Sequence, residues 1–146
     1  MRFVANAVII TLALGAGAAF AKEGVKDPTV KARMELMGTV GASTKVLGDM
    51  AGGKSAYDAS AAAAAKAALV AAAAAAPAAF AIEADDPVSE ARPDIWMNME
   101  AFIEKAKGLE AAAGAINVSS VEGIQAGMGA IGGSCKACHS DFRAKK

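Results

Sequence analysis

The chain has 146 residues, enough for one domain with its own core. Its 15 basic and 15 acidic side chains cancel to a formal charge of zero, so the basic footprint expected of a nucleic-acid binder is missing. Hydrophobic residues make up 55% of the chain and aromatics only 5%, a balance suited to helices packed closely through alanine and glycine rather than to a strand-rich fold.

Residues 1–21 read as a secretory signal. Arg2 gives a positive start, an apolar stretch follows from Phe3 to about Leu14, and Ala19-Phe20-Ala21 is an A-x-A-like cleavage site before Lys22. The apolar stretch is short and glycine-broken for a bilayer span; an N-terminal anchor that is never cleaved is the alternative. Residues 22–146 then form a single exported domain, and losing Arg2 leaves it near a net charge of −1.

The first helix is predicted from about Pro28 to Met50. Asp27 suits the N-cap and Pro28 the first helical position. Val30, Arg33, Met34, Met37, Val40, Gly41, Thr44 and Leu47 recur at three-to-four spacing as one mostly apolar stripe, and Gly52-Gly53 ends it. The second runs from about Asp58 to Ala76 and is alanine-rich, which favours helix over disorder; Pro77 is expected to stop it. Residues 81 to 93 read as a loop, with Asp85-Asp86 an exposed acidic pair.

The third helix is predicted from about Asp94 to Ala113, with Ile95, Met99, Phe102, Ile103, Ala106 and Leu109 on one side. Trp96 reads as packing. After a turn over 114–118, Ser119 and Glu122 fit a capping box that opens a fourth helix reaching about Lys145. Glycines at 123, 127, 129, 132 and 133 are poor helix residues; close approach to a neighbouring helix or to a flat ring would account for them. Four helices with short connections predict an all-α, up-down four-helix bundle, a scaffold that holds cofactors between facing helices.

The last helix carries Cys135-Lys136-Ala137-Cys138-His139. C-x-x-C-H is the spacing of a c-type haem attachment site, where two thiols add across the vinyl groups and the adjacent imidazole ligates iron. His139 is the only histidine in the chain. The competing readings fit less well. A thiol–disulfide redox motif wants a βαβ context. A structural zinc site wants four Cys or His ligands where only Cys135, Cys138 and His139 exist. A plain disulfide leaves the histidine as coincidence. The expected cofactor is therefore one covalently bound haem c near the C-terminal helix, and export places it in the periplasm.

The stretch from Gly133 to Arg143 is similar to the terminal helix of the class II cytochromes c, the cytochrome c-prime family. Pro93-Asp94-Ile95-Trp96 resembles the start of that family's third helix. Val46-Leu47-Gly48, followed by Tyr57-Asp58, resembles its helix one–helix two junction. The likeness runs from about Val30 to the C-terminus and implies a distal position on the first helix, at Met37. In the low-spin cytochrome c-556 branch a methionine there ligates iron, with Met34 the next candidate here; thioether sulfur is an established partner to histidine. In the high-spin branch the same position only faces the haem, and iron binds diatomic gases such as nitric oxide. Methionines are also common core fillers.

The resemblance also implies that Arg33 lies by the haem, where it could hold a propionate, and that Arg143 shields His139 or holds a propionate. Their plain alternatives are a solvated arginine and a helix C-terminal cation favoured by the dipole. Electron transfer with redox partner proteins is the leading expectation and gas binding the alternative. Enzymatic chemistry is not expected, because no titratable side chain is placed over the iron. The domain is expected to be soluble after signal removal, and its small-residue faces permit a homodimer.

Overall fold

A computed structural model describes residues 24–145, so the signal sequence assigned to residues 1–21 lies outside the described residues. The elements are α1 (Pro28–Ala51), α2 (Ala59–Ala79), α3 (Asp94–Met97), α4 (Met99–Ala115) and α5 (Val121–Phe142). α1, α2, α4 and α5 form an up-down bundle in which each packs on the next and α5 closes the ring against α1. The single β feature among the described residues is an isolated antiparallel bridge between Ala91 and Arg143.

Local chemistry sets most helix starts. Asp27 accepts from the Val30 amide at 2.9 Å and Asp58 from the Ala61 amide at 2.8 Å, each satisfying an amide that the first turn leaves unpaired. α2 buries Ala62, Ala65, Leu69, Ala72, Ala73 and Ala76, so its methyl groups supply a narrow helical stripe. The core divides into two clusters. The larger gathers Leu47, Leu69, Ile116, Ile124 and Ile131. The smaller is Phe80, Ile95, Phe102 and Phe142, with Phe80–Phe102 and Phe102–Phe142 ring centroids 5.0 and 5.5 Å apart.

Five expectations need correction. Pro77 does not stop α2, which runs on to Ala79. Proline lacks an amide to bond backwards, but so near the end little ladder remains to be broken, and the Phe80 amide still bonds the Ala76 carbonyl at 3.1 Å. The third helix is split: Asn98 leaves helical geometry at φ −133°, ψ 48°, separating the one-turn α3 from α4. α5 starts one residue later than expected. Ser120 is its cap, accepting from the Gly123 amide at 3.2 Å, while the Ser119 hydroxyl donates to Asn117 at 2.6 Å. α5 also ends at Phe142, short of Lys145, because residues 142–144 straighten to pair with residues 90–92.

The fifth correction concerns Asp85-Asp86. Asp85 is exposed, but Asp86 is buried. Its carboxylate accepts from the amides of Lys26 at 2.8 Å and Asp27 at 2.9 Å, tying the start of α1 to the long loop. These amides, with that of Val88, hold the Asp86 carboxyl below its usual range. The α5 glycines are explained in part. A Cβ at Gly123 would meet the Asn117 carbonyl at 2.7 Å, and one at Gly127 would meet Ile116 at 2.5 Å. At Gly129, Gly132 and Gly133 it would meet nothing within 4 Å.

Candidate functional site

α5 presents Ser134, Cys135, Cys138 and His139 to one cavity of about 610 Å³. Spacings of three and four residues put these side chains on one helical face, so the C-x-x-C-H motif becomes one wall. Facing walls come from Met34, Met37, Gly41 and Thr44 of α1, Ala73 and Ala76 of α2, and Phe102, Ala106 and Leu109 of α4. The loop between α2 and α3 adds Val88, Ser89, Glu90 and Ala91.

Cys135 packs against the larger core cluster and Cys138 against the aromatic one. Burial pushes both thiols above their ordinary range, opposed at Cys138 chiefly by the Lys105 ammonium. Burial, then the charge of Arg143, holds the His139 imidazole below its ordinary value, and Glu90 acts in the opposite sense. A neutral imidazole is the form that can ligate a metal.

Met37 lines the cavity and packs against the aromatic cluster, and Met34 lines the same wall. Met128 instead packs into the larger cluster, its methyl 3.6 Å from where a Cβ on Gly48 would sit. Arg33 is 3% exposed. Its guanidinium donates to the carbonyls of Ala79 at 2.9 Å, Ala84 at 3.2 Å and Ile82. The same group stacks 5.0 Å from the Phe80 ring centroid and 5.2 Å from that of Trp96. Trp96 in turn donates its indole N–H to the Phe80 carbonyl at 2.8 Å. Arg33 therefore borders the cavity while its donors are turned to the loop behind it. Burial lowers its pKa, with Asp27 resisting.

Arg143 donates from Nε to the Glu90 carboxylate at 2.7 Å. Lys105 pairs with Asp141 at 3.0 Å. Sequence reading singled out neither Glu90 nor Lys105. Lys105 lies three residues after Phe102 and four before Leu109, a spacing that could have flagged it. Nothing local marks Glu90, whose place is fixed by the pairing of residues 90–92 with the segment after α5.

The residues fit the expected cofactor. A cavity of this volume lies within the ~300–1,000 Å³ typical of small-molecule and cofactor sites. Two thiols and one imidazole open on it from a single helical face, and its other walls are mostly apolar.

The family model for cytochrome c' matches residues 28–143. The chain belongs to the cytochrome c' family. Proteins of this family carry one covalently attached haem c, and they act as electron carriers or gas binders. A cytochrome c-556 from Agrobacterium tumefaciens is 35% identical, covering 81% of this chain and 96% of its own. A cytochrome c' from Cereibacter sphaeroides is 33% identical over 95% of this chain and 98% of its own. The solved cytochrome c' from Rhodopseudomonas palustris superposes with a TM-score of 0.74 at 28% identity, covering 83% of this chain and 99% of that one. Both branches named for the family thus appear among the chain's relatives.

Proposed function

We propose that this cytochrome c' family protein is a periplasmic electron carrier, with haem c attached through Cys135 and Cys138 and ligated by His139 and Met37. The reading is carried by one observation: Met37 and the motif residues line the same cavity from different helices. The bound group supplies a one-electron ferric/ferrous couple. The chain supplies the rest. His139 and Met37 would hold the iron from two different helices, which would limit rearrangement on electron transfer, and thioether ligation would raise the potential. Ala73, Ala76, Phe102 and Ala106 keep the slot apolar.

Arg33 and Arg143 complete the set as cavity-lining cations. The bonds from Arg33 to the carbonyl that ends α2 and to two carbonyls of the following loop favour a clamping role for it over a propionate contact. Localisation follows from the signal read in residues 1–21 and from the periplasmic habit of bacterial members of the family. The partners are redox proteins, and the alanine face that α2 leaves exposed would suit a second copy.

Gas binding at a five-coordinate iron is the second reading. The packing of Met37 against Phe80, Ile95 and Phe102 favours it, because a side chain held there as core need not bond iron. Optical spectroscopy decides between the two. Oxidised holoprotein is expected to show the weak near-red methionine–iron charge-transfer band, and Met37→Ala is expected to abolish it. A high-spin ferric spectrum together with ready carbon monoxide binding by the ferrous form would establish the second reading instead.

A further inference from the structure

We infer that Glu90, paired with Arg143, is a positioning residue that balances charge beside the proximal imidazole and thereby sets the reduction potential. The inference rests on the reading in which His139 holds the iron.

Glu90 sits in the loop between α2 and α3, yet it lines the cavity beside Cys138, His139 and Arg143. Its side chain is 23% exposed and its carboxylate takes the Arg143 guanidinium. Backbone bonds hold it there. The Ala144 amide donates to the Glu90 carbonyl at 2.8 Å and the Arg92 amide to the Phe142 carbonyl at 3.0 Å. The Arg143 amide bonds the His139 carbonyl at 3.3 Å. The carboxylate, the guanidinium and the turn carrying the imidazole are therefore one mechanical unit.

Electrostatics gives that unit a role. Reduction adds one negative charge at the iron, so a nearby cation favours the ferrous form and a nearby anion the ferric form. Arg143 and Glu90 carry opposite charges, and both line the cavity that His139 lines. Held together, they oppose each other; removing either shifts the balance of charge beside the site. Lys105, a cavity-lining cation on α4, is paired with Asp141 and is left unchanged in every variant.

The test is a potentiometric titration of the haem-loaded protein, with an optical spectrum recorded for each variant. Glu90→Gln is expected to raise the potential and Arg143→Gln to lower it. Each should shift the ferrous:ferric ratio at fixed potential by roughly three- to tenfold, tenfold being about 59 mV for one electron. The double variant should return close to wild type, and Glu90→Asp should stay there. Single variants that leave the potential unmoved, or that both move it in the same direction, overturn the proposal. If the spectra then still show histidine ligation, only the role of Glu90 falls. A wild-type spectrum without histidine ligation overturns both.

Discussion

Arg33 is a guanidinium with almost no access to water, and it donates to three backbone carbonyls. Its planar fork suits three carbonyls, one at the end of α2 and two in the loop that follows, and its flat face suits Phe80 and Trp96. Arg33→Met would keep much of the stem's packing but strand the carbonyls of Ala79, Ile82 and Ala84. A loss of about 2–4 kcal/mol is expected in urea unfolding. Arg33→Lys should recover only part of it, since an ammonium brings charge without the fork. A fully retained stability in Arg33→Met would show that water replaces the bonds at little cost. The sequence marked Arg33 as a residue of the apolar stripe but could not reveal what it binds. Its partners lie 46 to 51 residues away along the chain. The thiols and imidazole were legible for the opposite reason: their chemistry is written in five consecutive residues.

At the level of helices, the cap at Asp27 was readable because capping is local, reaching only three residues. The breaks were not. Asn98 interrupts a segment whose apolar spacing continues across it, and periodicity cannot register one residue leaving helical geometry. The end of α5 depends on pairing with residues 90–92, a tertiary event. The α5 glycines separate two kinds of position that look identical in sequence. Gly127→Ala would drive a methyl into Ile116, itself only 2% exposed. The overpacking penalty of ~1–3 kcal/mol should outweigh the ~1 kcal/mol gain in helix propensity. Gly129→Ala meets nothing within 4 Å, and should stabilise by about 1 kcal/mol. Thermal denaturation of the two holoproteins checks the opposite signs; a stabilised Gly127→Ala would mean that the Ile116 turn yields freely.

Over the whole molecule, two core clusters meet around a cavity that they line but do not fill. If one third of its roughly 610 Å³ stayed empty, the loss would be about 5 kcal/mol at ~24 cal/mol per Å³. That is comparable with the whole stability of a marginal domain, ~5–15 kcal/mol. Chain made in a host unable to attach haem c should therefore keep helical far-UV circular dichroism while losing near-UV signal and binding a hydrophobic dye. A cooperative, well-packed unloaded protein would show that the walls collapse on themselves. The order of the elements has a further consequence for biogenesis. A polypeptide made amino end first delivers α1, α2 and α4 before the cysteines of α5 exist. The receptacle's opposite faces are thus synthesised ahead of the only segment that can be soldered to the pigment. Whatever performs that ligation must reach the thiols before α5 docks, or else pull it away again.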